Sequence, residues 1–182
     1  MSTSSPLQRL LASVPLFRDL SPEELASFLA QCQQEEVPAG TAIISQGERG
    51  RHLFAVMSGS LSVSRRPEGM EGVEPITLAT VKAGEVFGEL ALVDFGERSA
   101  SVTATEACRL LRFDRLDVVK LSPLLLSKLY RNVGMLMAAR LRQTNSTVTV
   151  LLAEKQHEDE AASPPAPDNG FAAPSQRTVI RR

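Results

Sequence analysis

The residues best suited to chemistry lie in one stretch, Phe87-Gly88-Glu89-Leu90-Ala91-Leu92, followed after a short polar turn by Arg98-Ser99-Ala100-Ser101-Val102-Thr103-Ala104-Thr105. The order reads as strand, one helical turn, loop, strand. Glycine at 88 lets the backbone come close to a ligand. A helical turn over 89–91 leaves N–H groups that favour an anion. Arg98 adds a fork of donors that can grip two phosphate oxygens, and Ser99 adds a hydroxyl and a further N–H. Glu89 conflicts with a bound phosphate unless its carboxylate accepts a hydrogen bond from a neutral group of the same ligand, such as a ribose hydroxyl. An anion grip and a hydroxyl acceptor nine residues apart describe a ribose-phosphate pocket. Singly, the same residues admit a plainer account, with Gly-Glu as a turn and Arg-Ser as solvated strand.

The elements that must position this stretch follow from the period of the apolar residues. Leu7, Leu10 and Leu11 behind Pro6 predict a first helix. Ser21-Pro22-Glu23-Glu24 predicts a capped start for a second, with apolar stripe Leu25, Phe28 and Leu29. From Val37 the period changes to two. Short strands are predicted around Ile43-Ile44, Leu53–Met57, Leu61–Ser64, Ile76–Val81 and Cys108–Phe113, separated by turns at Gly47, Gly59, 69–72 and Gly84. Many short strands with glycine turns argue for an antiparallel barrel or jelly roll. The predicted class is α+β, mainly β, with N-terminal helices, a short helix at the cassette and a long C-terminal helix.

A short helix is predicted over Arg115–Lys120, ending near Pro123. Beyond it Leu126, Leu129, Val133, Met137, Leu141, Thr144, Val148 and Leu151 recur at spacings of three and four, which predicts an amphipathic helix over 124–154. Thr144 interrupts the apolar stripe; its hydroxyl either bonds back to its own helix or serves a ligand. Thr147 to Val150 are poor helix formers, so this end is expected to be loose until a ligand or partner orders it.

Phe-Gly-Glu-Leu-Ala-Leu followed by Arg-Ser-Ala resembles the phosphate-binding cassette of the cyclic-nucleotide-binding domains, found in the catabolite activator protein, protein kinase A regulatory subunits and nucleotide-gated channels. The prelude of helices with a Pro-Leu-Phe step, and the turn glycines 47, 59 and 84, fit the same family. The resemblance implies that Gly88 and Glu89 contact the phosphate region and the ribose 2′-hydroxyl, that Arg98 holds the cyclic phosphate, and that Ser99 supports it. Phe87, Leu90, Ala91 and Ala100 complete the expected ligand-binding stretch. Matching Arg140-Leu141 to the family's Arg-Leu puts Thr144 at the threonine that contacts the adenine amino group. Asn145 then falls where that family has a serine supplied across a dimer, a departure that leaves room for a different base preference. The implied ligand is cyclic AMP, with cyclic GMP possible, and the implied partner is a second copy packed along the 124–154 helix.

The remaining composition bounds the alternatives. Twenty basic and 21 acidic residues give a net charge of −1, so no strong field recruits nucleic acid or an anionic membrane. Cys32 and Cys108 stand alone in apolar patterns and read as free buried thiols. No secretory signal or membrane-length apolar run occurs, and the expectation is a soluble, cytoplasmic chain. With only His52 and His157, a histidine-based metal site is not available. No nucleophile elbow or phosphate-binding P-loop appears, which argues against an enzyme. The predicted organisation is one domain over 6–155, comprising a helical lead-in 6–35, a barrel 36–114 and C-terminal helices 115–155. A disordered acidic and Pro/Ala-rich tail is expected over 156–182, ending in Arg177–Arg182, either a solvated terminus or a docking tag. That tail has no pattern for a helix-turn-helix, so no direct DNA binding is expected. The function expected is a cyclic-nucleotide sensor that changes its C-terminal helix to regulate a separate partner. The alternative is a non-catalytic interaction protein that uses the fold for another ligand, such as cyclic di-GMP, or for none.

Overall fold

Leu53 to Val56 is apolar at every position, and the strand that contains it, β3 (His52–Ser58), is buried there on both faces. A computed structural model describes residues 14–69, 72–94 and 96–162. In it Leu53 and Ala55 enter a core shared with the helices, while Phe54 and Val56 enter a second core between two sheets. The remaining strands are β1 (Cys32–Val37), β2 (Ala42–Ile44), β4 (Ser60–Arg65), β5 (Ile76–Lys82), β6 (Val86–Phe87), β7 (Ser101–Ala104) and β8 (Cys108–Asp114). They form two four-stranded sheets, ordered β1-β8-β3-β6 and β2-β7-β4-β5, antiparallel at every pairing. This is the mainly β jelly roll expected from the sequence. Gly59 makes the tight β3–β4 turn at φ 92°, where a side chain would strike Cys108.

Ahead of the barrel, Pro15–Phe17 forms one 3-10 turn and α1 spans Pro22–Leu29. The capping box read from Ser21 and Glu24 is present: Ser21 Oγ accepts from the Glu24 N–H at 3.2 Å, and the Ser21 N–H donates to Glu24 Oε2 at 2.7 Å. Phe28 of α1 stacks on Phe113 of β8, with ring centroids 4.6 Å apart. The predicted helix around Leu7–Ala12 lies outside the described residues.

Three expectations need correction. The barrel begins at Cys32, inside the expected 6–35 lead-in, because β1 pairs with β8 along its whole length from Cys32↔Phe113 to Val37↔Cys108. Its Gln-Gln-Glu-Glu core shows no apolar alternation; an edge strand is held by ladder hydrogen bonds and by cross-strand pairs such as Glu35 with Arg112 at 2.8 Å. The strand expected from Arg98 begins only at Ser101. The last helix, α2, runs from Pro123 to Ala162, past the expected end at Glu154 and into the expected tail. Glu and Ala, frequent over this stretch, are good helix formers. Residues 163–182, with the Arg177–Arg182 segment, lie outside the described part.

The chain divides into two compact units, 1–140 and 141–182. In the first, Leu125, Leu129 and Val133 of α2 sit in the helix-side core, and Val133 is wholly buried. In the second, the described part is the distal half of α2. Ser146, Thr147 and Thr149 donate their hydroxyls to the carbonyls of Arg142, Gln143 and Asn145 one turn back, so these hydroxyls are satisfied within the helix. This end, expected to be loose, is helical.

Asn132, also fully buried, escaped the sequence reading. Its Nδ2 donates to the carbonyls of Leu16 and Arg18, both at 2.8 Å, and so clamps the lead-in onto α2. Asn132→Ala leaves two carbonyls without that donor beside a small cavity. The expected cost is about 2–4 kcal/mol, read as a fall in melting temperature of about 5–15 °C. A variant that melts with the wild type would show that the clamp contributes nothing. Both thiols are free, and burial pushes that of Cys32 up to about 12, so it is unreactive at neutral pH. Among the described residues no helix is long and apolar enough to cross a membrane.

Candidate functional site

The cassette is pinned at its start by β6, whose Phe87 lies opposite Phe54 of β3. Their rings stack 5.0 Å apart, nearly parallel at 10°. Phe87 is therefore a buried core side chain that fixes where the next residue begins. Gly88 then turns at φ 71°. A Cβ there would stand 2.8 Å from the His52 carbonyl oxygen and 3.0 Å from an Arg98 nitrogen, so only glycine fits both the backbone and the space. Glu89–Leu92 forms one 3-10 turn. The Ala91 N–H, expected to face a ligand, instead donates to the Gly88 carbonyl at 3.1 Å, and Ala91 is buried. Leu90 is half-buried.

Arg98 arrives from the other side. Its N–H donates to the Glu48 carbonyl at 2.8 Å and its carbonyl accepts from the Gly47 N–H at 2.9 Å, so the turn after β2 sets its backbone. The guanidinium donates through one terminal nitrogen to the Gly88 carbonyl at 3.3 Å and through the other to the His52 carbonyl at 2.8 Å. It lies against Gly50, where any Cβ would collide with it. Burial pulls its pKa below the ordinary arginine value, opposed by Glu89 and Glu48, and it remains a cation at neutral pH. Two of its five N–H groups are spent on backbone, which orients the fork and leaves donors for an anion. Ser99 is exposed and Ala100 half-buried beside it.

Glu89 is almost completely buried, at 4% exposure, and its Oε1 pairs with Arg140 of α2. The other terminal nitrogen of Arg140 donates to the Val86 carbonyl at 3.1 Å. Arg140 is the functional side chain that sequence reasoning missed. It served there only to align Arg140-Leu141, and its partner is 51 residues away in the chain. The site thus gathers Phe87, Gly88, Glu89, Leu90, Ala91, Arg98, Ser99 and Ala100 in the first unit. Thr144 and Asn145 stand on the distal α2, both exposed. The Asn145 carbonyl accepts the Thr149 hydroxyl at 2.9 Å.

The cyclic nucleotide-binding domain model matches residues 34–122. The cyclic AMP receptor protein of Thermus thermophilus is 39% identical over 144 residues, covering 78% of this chain and 63% of that protein. Residues 34–122 belong to the cyclic nucleotide-binding domain family. The crystal structure of the Thermus thermophilus catabolite activator protein superposes with a TM-score of 0.65 at 37% identity, over 75% of this chain and 62% of that one. The regulatory domain of Toxoplasma gondii PKA, co-crystallised with cAMP, gives a TM-score of 0.57 at 32% identity, over 63% of this chain and 43% of that one. The chain spans 63% of the length of the curated cyclic AMP receptor protein it matches. In this cyclic nucleotide-binding domain the matched residues contain the cassette with Glu89 and Arg98, whereas Arg140, Thr144 and Asn145 lie beyond them.

Proposed function

We propose that the chain is a non-catalytic sensor of a 3′,5′-cyclic nucleotide, cyclic AMP before cyclic GMP. The observation that carries this is the pair formed by Arg98, oriented by the Gly88 and His52 carbonyls, and the buried Glu89, held by Arg140. Arg98 supplies charge-assisted bonds to the cyclic phosphate, and Glu89 accepts from the ribose 2′-hydroxyl. The relatives named for cyclic AMP, and the one crystallised with it, support adenine as the base. Thr144 and Asn145 are assigned the selection of that base.

Arg140 gives the pocket its output. It joins Glu89 and the Val86 carbonyl to α2, so a ligand that draws on Glu89 alters the same carboxylate that holds the helix. The helix then presents its apolar face to a second copy and, through it or through the chain beyond, to a separate effector. Met137, Leu141, Val148 and Leu151 are exposed at spacings that continue a coiled-coil seam. Val133, predicted as part of that seam, is buried in its own domain and takes no part.

Sugar discrimination tests the Glu89 role. The wild type should bind cyclic AMP more tightly than 2′-deoxy cyclic AMP by about tenfold or more, because the deoxy ligand offers the buried carboxylate no hydroxyl donor. Glu89→Ala should weaken the ribose ligand and erase most of that preference. If the variant still separates the two sugars as the wild type does, the hydroxyl is read elsewhere.

A further inference from the structure

His52 opens β3 with its two functional groups facing different tasks. Its carbonyl oxygen holds the Arg98 guanidinium at 2.8 Å. Its ring Nε2 lies 3.6 Å from Oδ2 of Asp114, the residue opposite it on β8. Asp114 is itself committed: Oδ2 takes the Arg51 Nε at 2.9 Å, and Oδ1 caps the Arg115–Lys120 turn through the Leu116 N–H at 2.9 Å. The His52 ring also rests on Phe54, centroids 6.2 Å apart, and Phe54 stacks on Phe87 of the cassette. One residue therefore touches the arginine of the pocket, the aromatic base beneath the cassette and the cap of the segment that leads out of the barrel.

We propose that His52 couples nucleotide binding to proton uptake, so that the same pocket responds to pH as well as to its ligand. This rests on the reading of Arg98 as the residue that holds the phosphate.

The charges facing His52 set the sign. Arg98, Arg51 and Arg112 surround it with positive charge, and among the described residues Asp114 is the one carboxylate in ion-pair distance of the ring. Farther out, Glu35 pairs with Arg112 at 2.8 Å, while Glu89 and Glu48 act on Arg98. Burial and the three arginines hold the imidazole below its ordinary value, with Asp114 opposing. A cyclic phosphodiester carries one negative charge at any pH near neutrality. Held by Arg98, it offsets the cation bonded to the His52 carbonyl, so protonation becomes easier in the bound state. The bound-state midpoint then lies above the free-state one. By linkage, affinity is flat at high pH, starts to rise as pH falls through the bound-state midpoint and levels off below the free-state midpoint. A unit charge in this partly solvated setting should raise the midpoint by about 0.5–1 pH unit, which is about a three- to tenfold gain in affinity at low pH.

Only two histidines occur in the chain, His52 and His157 near the end of α2, so proton NMR of the ring C–H signals gives two titration curves. His52→Gln assigns them. On saturation with cyclic AMP the His52 midpoint should rise by about 0.5–1 pH unit. In parallel, wild-type affinity measured from pH 8 to pH 5.5 should increase, and the slope should vanish in His52→Gln whatever the affinity of that variant at pH 8. Saturable binding with an unmoved His52 midpoint would overturn the coupling alone. A slope that survives His52→Gln would assign the proton to another group and overturn it too. No binding of cyclic AMP, or binding that Arg98→Ala leaves unaltered, would instead remove the reading of the pocket on which the coupling rests.

Discussion

Arg98→Ala should weaken cyclic nucleotide binding by about thirtyfold to several thousandfold. The substitution takes away the charge partner of a desolvated phosphate, a loss of about 2–5 kcal/mol, and each 1.4 kcal/mol is about a decade. The same guanidinium also serves the fold itself, since it donates to the Gly88 and His52 carbonyls. The variant should accordingly lose about 1–2 kcal/mol of stability as well. Arg98→Lys separates the two contributions: it keeps the charge and loses the fork, so affinity should fall by a smaller factor than for alanine. Calorimetric affinity and thermal unfolding on the three proteins check this. An Arg98→Ala protein that binds cyclic nucleotide as the wild type does would end the phosphate role of Arg98.

The second large effect belongs to Leu141. Its side chain is 63% exposed, and Met137, Val148 and Leu151 stand exposed at heptad-like spacing on the same helix. Apolar exposure of this length calls for a partner. With a second copy packed in parallel along it, Leu141→Asp desolvates a carboxylate in the seam at about 3 kcal/mol or more per subunit. A two-fold dimer suffers this twice, so its dissociation constant should rise by about four decades. Nucleotide binding should weaken together with it, because ligand and dimer are linked reciprocally if the dimer presents the better pocket. Light scattering over a range of concentrations, with and without nucleotide, reads both. A wild type that stays monomeric at every concentration would assign the exposed stripe to some other partner.

What the sequence made legible were features written in contiguous residues. The Ser21 capping box is four adjacent residues and appears as read, and the cassette makes its one helical turn at Glu89–Leu92, although its Ala91 N–H turns inward and the next strand begins only at Ser101. The strands were legible where an apolar side chain had to face a core. β1 was not, because Cys-Gln-Gln-Glu-Glu-Val carries no such pattern and its position is decided by pairing with β8. The site divides in the same way. Glu89 and Arg98 belong to the cassette and could be read, whereas Arg140 acts through a pair that exists only after α2 has packed. Gly50 drew no site role from the sequence, and His52 entered only as one of two histidines too few for a metal site; their roles depend on where the Arg98 guanidinium comes to rest. Asn132 was hidden for a related reason: its two acceptors are backbone carbonyls of Leu16 and Arg18, which no side-chain pattern announces.

The most direct test of the cyclic nucleotide pocket is a calorimetric titration of the full chain with cyclic AMP, cyclic GMP and cyclic di-GMP at one pH and one salt concentration. Saturable binding of one cyclic AMP per chain is expected, with weaker cyclic GMP binding and no response to cyclic di-GMP. Absence of binding by both mononucleotides, or saturation by cyclic di-GMP alone, would contradict it.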